Sequence, residues 1–157
     1  MKPTKITNLI TAAALTGVAG FFVIQQLVGN GLPAPTVGVN LVLIQPALAV
    51  ILVLSAIPMM RYRSGLKKFE DGKAKQPARV EPNYAVRTLA LAKAVSLSGS
   101  IFIGWALAVL VYQLISPEGT KLLLPILGVA GALAMVVAGL IIENLFRIPP
   151  DKDADAA

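Results

Sequence analysis

The sequence predicts an all-α fold: a polytopic membrane protein with four transmembrane helices in two antiparallel pairs and both termini cytoplasmic. Three observations carry that expectation. Of the 157 residues, 56% are hydrophobic and 14% charged, with a mean hydropathy of +0.75, whereas soluble domains carry roughly 25% charged residues. The apolar residues gather into four long runs separated by short polar or basic stretches. Threading those runs as four crossings puts thirteen of the fourteen Lys and Arg residues on one side and only Lys121 on the other. An excess of Lys and Arg marks the cytoplasmic side.

One domain, residues 1–157, accounts for the chain. The first helix is expected at about 6–28, preceded by Lys2 and Lys5. A signal peptide starts in the same way, but this run exceeds a usual h-region and no clear A-x-A site follows it, so retention as a helix is favoured. The loop GNGLPAPTVG (Gly29 to Gly38) is uncharged and rich in turn formers. A second helix follows at about 39–60, with Pro46 in its second turn, a placement membrane helices tolerate. Residues 61–83 then change character. RYRSGLKKFEDGKAKQPARVEPN reads as a basic cytoplasmic loop, with either a short interfacial helix around Tyr62 to Phe69 or a solvated coil. Asn83 is a candidate cap for a third helix at about 84–115. Such a helix is about 48 Å long, against a hydrocarbon core of roughly 30 Å, so its first turns, with Arg87, protrude and Lys93 lies near the boundary. The short turn SPEGT leads into a fourth helix at about 121–145, and the tail at 151–157 is expected to be disordered.

Small residues recur every fourth position on the third helix: Ala92, Ser96, Ser100, Gly104 and Ala108. Such a stripe lets backbones approach closely, which favours helix association where lipid is as apolar as the side chains. Gly131 and Gly139 on the fourth helix, and Ala12, Thr16 and Gly20 on the first, are weaker versions of the pattern. Trp105 falls near mid-membrane, where a packing role outweighs a ligand platform. Gln25, Gln26, Asn40 and Gln45 flank the outer boundary, and solvation there is the simplest reading of them.

The chain has no Cys and no His, which removes disulfides, thiol nucleophiles, imidazole ligands and the usual acid–base group near neutral pH. No catalytic residue, cofactor or metal site is therefore expected. Of the eight acids, only Glu143 borders a membrane span. The third and fourth helices are joined by a short turn, so Lys93 and Glu143 are expected at equal depth and within pairing reach. Arg147, four residues after Glu143, is a competing partner. Arg87, Lys93, Glu143 and Arg147 thus form a candidate inner-boundary cluster for an anion, a lipid or a partner. The net charge of +6 points to anionic lipid on the cytoplasmic side and not to nucleic acid.

The segment EPNYAVRTLALAKAVSLSGSIFIGWALA, the terminal GLIIENLFRIPP and the opening MKPTKITNLI resemble an uncharacterised family of small actinobacterial four-helix membrane proteins, domain of unknown function 3180, often encoded near folate-biosynthesis genes. The resemblance rests on Glu81, Pro82, Ala85, Arg87, Thr88, Leu91, Ala92, Lys93, Ala94, Gly104 and Trp105, then Gly139, Leu140, Glu143, Arg147, Pro149 and Pro150. Where members often follow Gly-Trp with an aromatic and Ala-Gly, this chain has Ala106-Leu107-Ala108. The resemblance implies a bacterial envelope setting and supplies no mechanism.

Two functional readings follow. The first is a non-enzymatic plasma-membrane protein acting as an accessory or scaffold subunit on another membrane protein or complex. The second is a small carrier or a module binding lipid or an anionic metabolite, as a monomer or a homo-oligomer. It requires a cavity that reaches the Arg87, Lys93 and Glu143 region. A proton path is disfavoured, because the first and fourth helices offer almost no polar groups through the bilayer.

Overall fold

The computed structural model describes residues 4–70, 82–116 and 122–146. Within them the chain forms four α-helices and no strand: α1 (Ile6–Gly29), α2 (Val39–Glu70), α3 (Pro82–Ile115) and α4 (Leu123–Leu145). Each contains a segment long and apolar enough to cross a membrane. The tail at 151–157, the turn residues 117–121 and residues 71–81 of the basic loop lie outside the described residues.

Local chemistry explains the helix ends. α1 closes on Gly31, whose φ of 78° is open to glycine but strained for other residues. Its N–H donates to the Val28 carbonyl at 2.9 Å, and that of Leu32 to the Leu27 carbonyl at 3.0 Å, the bond pair of a Schellman stop. α3 begins at Pro82, not after Asn83. A first-turn position suits Pro because its missing N–H would be unbonded there in any case. α2 continues to Glu70, about ten residues beyond the expected boundary. Gly65 alone does not break a helix, and its cost of about 1 kcal/mol relative to Ala is spread over a run of good helix formers.

The four helices form a chain of contacts with α3 at its centre. α1 packs on α3, α3 on α4, and α4 on α2, with a smaller contact between α2 and α3. The pairing departs from sequence order on one side of the molecule. α3 and α4 are antiparallel neighbours, but α1 makes no close backbone approach to α2 or to α4. It lies parallel to α3, as successive contacts of Gly17 with Gly104 and Gly20 with Ala108 show. The loop between α1 and α2 is long enough for the two helices to separate, and its Val37 is buried against α4 beside Gly128.

Small residues set these contacts. A Cβ on Gly104 would collide with the Ala13 carbonyl oxygen of α1 and lie 2.8 Å from the Gly17 nitrogen. On the other side of α3, a Cβ on Gly139 would lie 2.7 Å from the Ser96 Cβ and 2.8 Å from the Ala92 carbonyl. Ala92, Ser96, Ser100, Gly104 and Ala108 are all buried. The serine hydroxyls do not bridge the seam. Ser96 donates to the Lys93 carbonyl at 3.0 Å and Ser100 to the Leu97 carbonyl at 2.7 Å, satisfying themselves within their own helix. Trp105 is half-buried, with its ring edge against Gly20.

Two apolar clusters fill the interior. One, with Leu52, Ala92, Met135 and Ile142, lies toward the end where α1 begins and α4 ends. The other, with Ile24, Val37, Ala106 and Val109, lies toward the opposite end. Gly104→Ala should push α1 off α3 and cost about 1–3 kcal/mol of stability as an overpacked contact. Gly38→Ala, where an added Cβ meets nothing within 4 Å, should change it by less than about 0.5 kcal/mol. Thermal melts of both variants in the same detergent measure the difference.

Candidate functional site: a groove and its polar end

The arrangement leaves a groove between α1 and α4, with α3 as its floor. Its volume is about 690 Å³, within the roughly 300–1,000 Å³ of small-molecule sites. α1 contributes residues from Ile6 to Phe22, α3 contributes Ser100, Ile103 and Leu107, and α4 contributes Leu133, Val136 and Leu140. Ser100 is the one polar side chain among the lining residues, and its hydroxyl is already bonded within α3. The groove exists because α1 leans on α3 alone. A bundle with α1 also against α4 would have closed it.

Polar groups converge near the start of α1, at residues that do not themselves line the groove. Glu143 is buried, its side chain only 8% exposed. Its Oε1 accepts the backbone N–H of Thr4 at 2.6 Å and stands 3.9 Å from the Lys93 Nζ. Oε2 is buried and has no hydrogen-bond partner. Twenty residues separate Glu143 from Leu123, about 30 Å along α4, so the carboxylate lies at the far boundary of the apolar span. Three segments meet at one carboxyl group: the start of the chain, α3 and α4.

Of the residues singled out by sequence, the structure brings Lys93 and Glu143 together. Arg87 is exposed and forms no ion pair with Glu143. Arg147 lies outside the described residues. Gly131 and Gly139 each face a neighbouring helix, Gly131 against α2 and Gly139 against α3. Among the described residues no group of His, Cys, Asp or Glu is placed to hold a metal ion.

Two participants were not foreseen. Thr4 acts through its backbone, and a backbone N–H carries no sequence signal. Gln45 was expected at a solvated boundary but is only 1% exposed. Its Oε1 lies where a Gly131 Cβ would be 2.7 Å away, and neither its Nε2 nor its Oε1 has a partner. The spacing of Gly128, Gly131 and Gly139 marks a packed face of α4, but nothing in it says that a glutamine fills the space.

Breaking the boundary pair and removing the buried amide should have opposite effects. Lys93→Ala strands a buried carboxylate and should cost about 1–2 kcal/mol; pairing it with Glu143→Leu should recover part of that loss. Gln45→Leu, which removes two unpartnered polar groups at similar volume, should be neutral or stabilising by about 1 kcal/mol. Equilibrium unfolding in mixed micelles measures all three.

No curated protein and no solved structure matches the chain. The family model described as a protein of unknown function (DUF3180) matches residues 9–150, a span that includes all four helices apart from the first turn of α1. The chain belongs to that family.

Proposed function

We propose that this is a non-enzymatic integral protein of the plasma membrane, with both termini cytoplasmic, that holds a lipid in the groove between α1 and α4. The single observation that supports this reading is the apolar groove itself, lined by α1, α3 and α4 and running beside the helices that carry Lys93 and Glu143. Glu143 lies three residues after Leu140 and seven after Val136, one turn beyond the lining residues of α4. Lys93 lies seven residues before Ser100, two turns beyond the floor, and Thr4 lies just ahead of Ile6. An apolar groove with charged groups one to two turns beyond its lining residues suits an amphiphile.

Dimensions favour a lipid chain over a partner's helix. The groove follows α1 from Ile6 to Phe22, about 24 Å, most of a bilayer's hydrocarbon thickness of roughly 30 Å. A transmembrane helix about 10 Å across fills on the order of 2,000 Å³ over that length, far more than the groove holds. The accessory or scaffold reading gives the groove that second occupant, with much of the partner's helix left outside it.

A photoreactive side chain at Leu107, irradiated in native membranes, distinguishes the two. The expected product is the intact chain plus the mass of a lipid. A polypeptide adduct of defined mass would replace the lipid reading with the scaffold one.

A further inference from the structure

The width of the groove depends on how α1 is held. Its buried residues are Leu9, Gly20 and Ile24. Two of the three lie beyond Gly17, where Ile24 packs in the cluster with Val37 and Val109. Gly17 itself faces the Gly104 backbone. Between Ile6 and Ala13 only Leu9 is buried, and Ile6 and Ile10 are each 63% exposed. Apolar burial gives a helix little hold in lipid, so that half of α1 needs a polar tie. The Thr4 N–H supplies one by donating to the Glu143 Oε1 at 2.6 Å, with the Lys93 ammonium beside the same oxygen. A hydrogen bond to a carboxylate paired with lysine is of the stronger, charge-assisted class, and a low local dielectric strengthens it further.

Ile6 follows Thr4 by two residues, a tether of at most about 7 Å. While the bond holds, the start of α1 stays at the end of α4, although the two helices make no close backbone approach. Its release leaves the Ile6 to Ala13 half to swing about the Gly17–Gly104 contact. We infer that the Thr4–Glu143 hydrogen bond is a clasp that sets the width of the groove at its Ile6 end, with α1 as the lever and the glycine contact as the pivot. Glu143 is then a positioning residue. No ligand has to reach it, because it acts on the groove through the place it gives α1. The consequence for a bound lipid rests on the lipid reading of the groove: held narrow, the groove grips a chain along α1, and released, it gapes.

The test uses the full chain, which has no cysteine of its own, with spin labels on introduced cysteine pairs. Thr7→Cys with Ile141→Cys reports the Ile6 end, and Val23→Cys with Leu127→Cys the opposite end; all four positions are exposed. Double electron–electron resonance in nanodiscs reads the distances. Thr4→Pro removes the N–H, Glu143→Leu removes the acceptor, and Thr4→Ala keeps both. Ile6 stands on a lever of about 16 Å from Gly17, so a swing of about 15° should lengthen the first distance by about 4 Å in Thr4→Pro and Glu143→Leu. The second distance should not move, and Thr4→Ala should match the wild type. Native mass spectrometry with phosphatidylglycerol should show about threefold to tenfold fewer adducts on the two released variants. Thr4→Pro lies ahead of α1 and leaves the Lys93–Glu143 pair in place, so it decides the matter even if the Glu143 variant does not fold. An unchanged first distance in Thr4→Pro, or equal lengthening at both ends, overturns the clasp. Lengthening without loss of adducts overturns its hold on the lipid. No adduct on the wild type overturns the lipid reading and leaves the clasp to stand on the distances.

Discussion

The structure depends on how closely α3 lets its neighbours approach. In a bilayer the exposed and buried faces of a helix are similarly apolar, so burial alone gives little reason for helices to associate. Gly104 admits the α1 backbone at Ala13 and Gly17, and the Ala92–Ser96 turn admits α4 at Gly139. Those two approaches use different sides of one helix. They explain why α3 is the centre, why the α1 backbone closely approaches no other helix, and why a groove is left where α1 and α4 fail to meet.

The helices themselves were readable because transmembrane length and apolarity are coarse constraints. The misread boundaries show the limits of that signal. A change to charged residues at Arg61 marks where α2 stops being apolar, not where it stops being a helix, and the chain stays helical to Glu70. The four-residue stripe on α3 was legible because small side chains at a fixed period have few other uses. Which helix each side of the stripe would meet was not legible. Ala, Ser and Gly permit contact without naming a partner, so the stripe alone did not say that α1 would lie against α3.

At the candidate site the same division holds. Lys93 and Glu143 could be matched by depth, because a short turn ties the lengths of α3 and α4 together. Their 3.9 Å separation follows from that registry. Thr4 could not be matched, since its contribution is a backbone donor placed by a helix 139 residues away in sequence. Gln45 looked like a boundary residue because polarity near a helix end usually means water. Its burial against Gly131 follows from α2 packing on α4, which depends in turn on α1 not occupying that place.

The lone attachment of α1 also orders the protein's birth. Synthesis proceeds at about 5–20 residues per second, so roughly 90 residues, or some 4–18 seconds, separate the emergence of Gly17 from that of Gly104. Throughout that interval α1 has no helix of its own chain to lean on, and the second helix to be made will not serve. It must wait in the membrane, or beside the insertion machinery, with its glycine face uncovered. The Thr4 contact comes later still, when Glu143 is made, 139 residues after the residue it fastens.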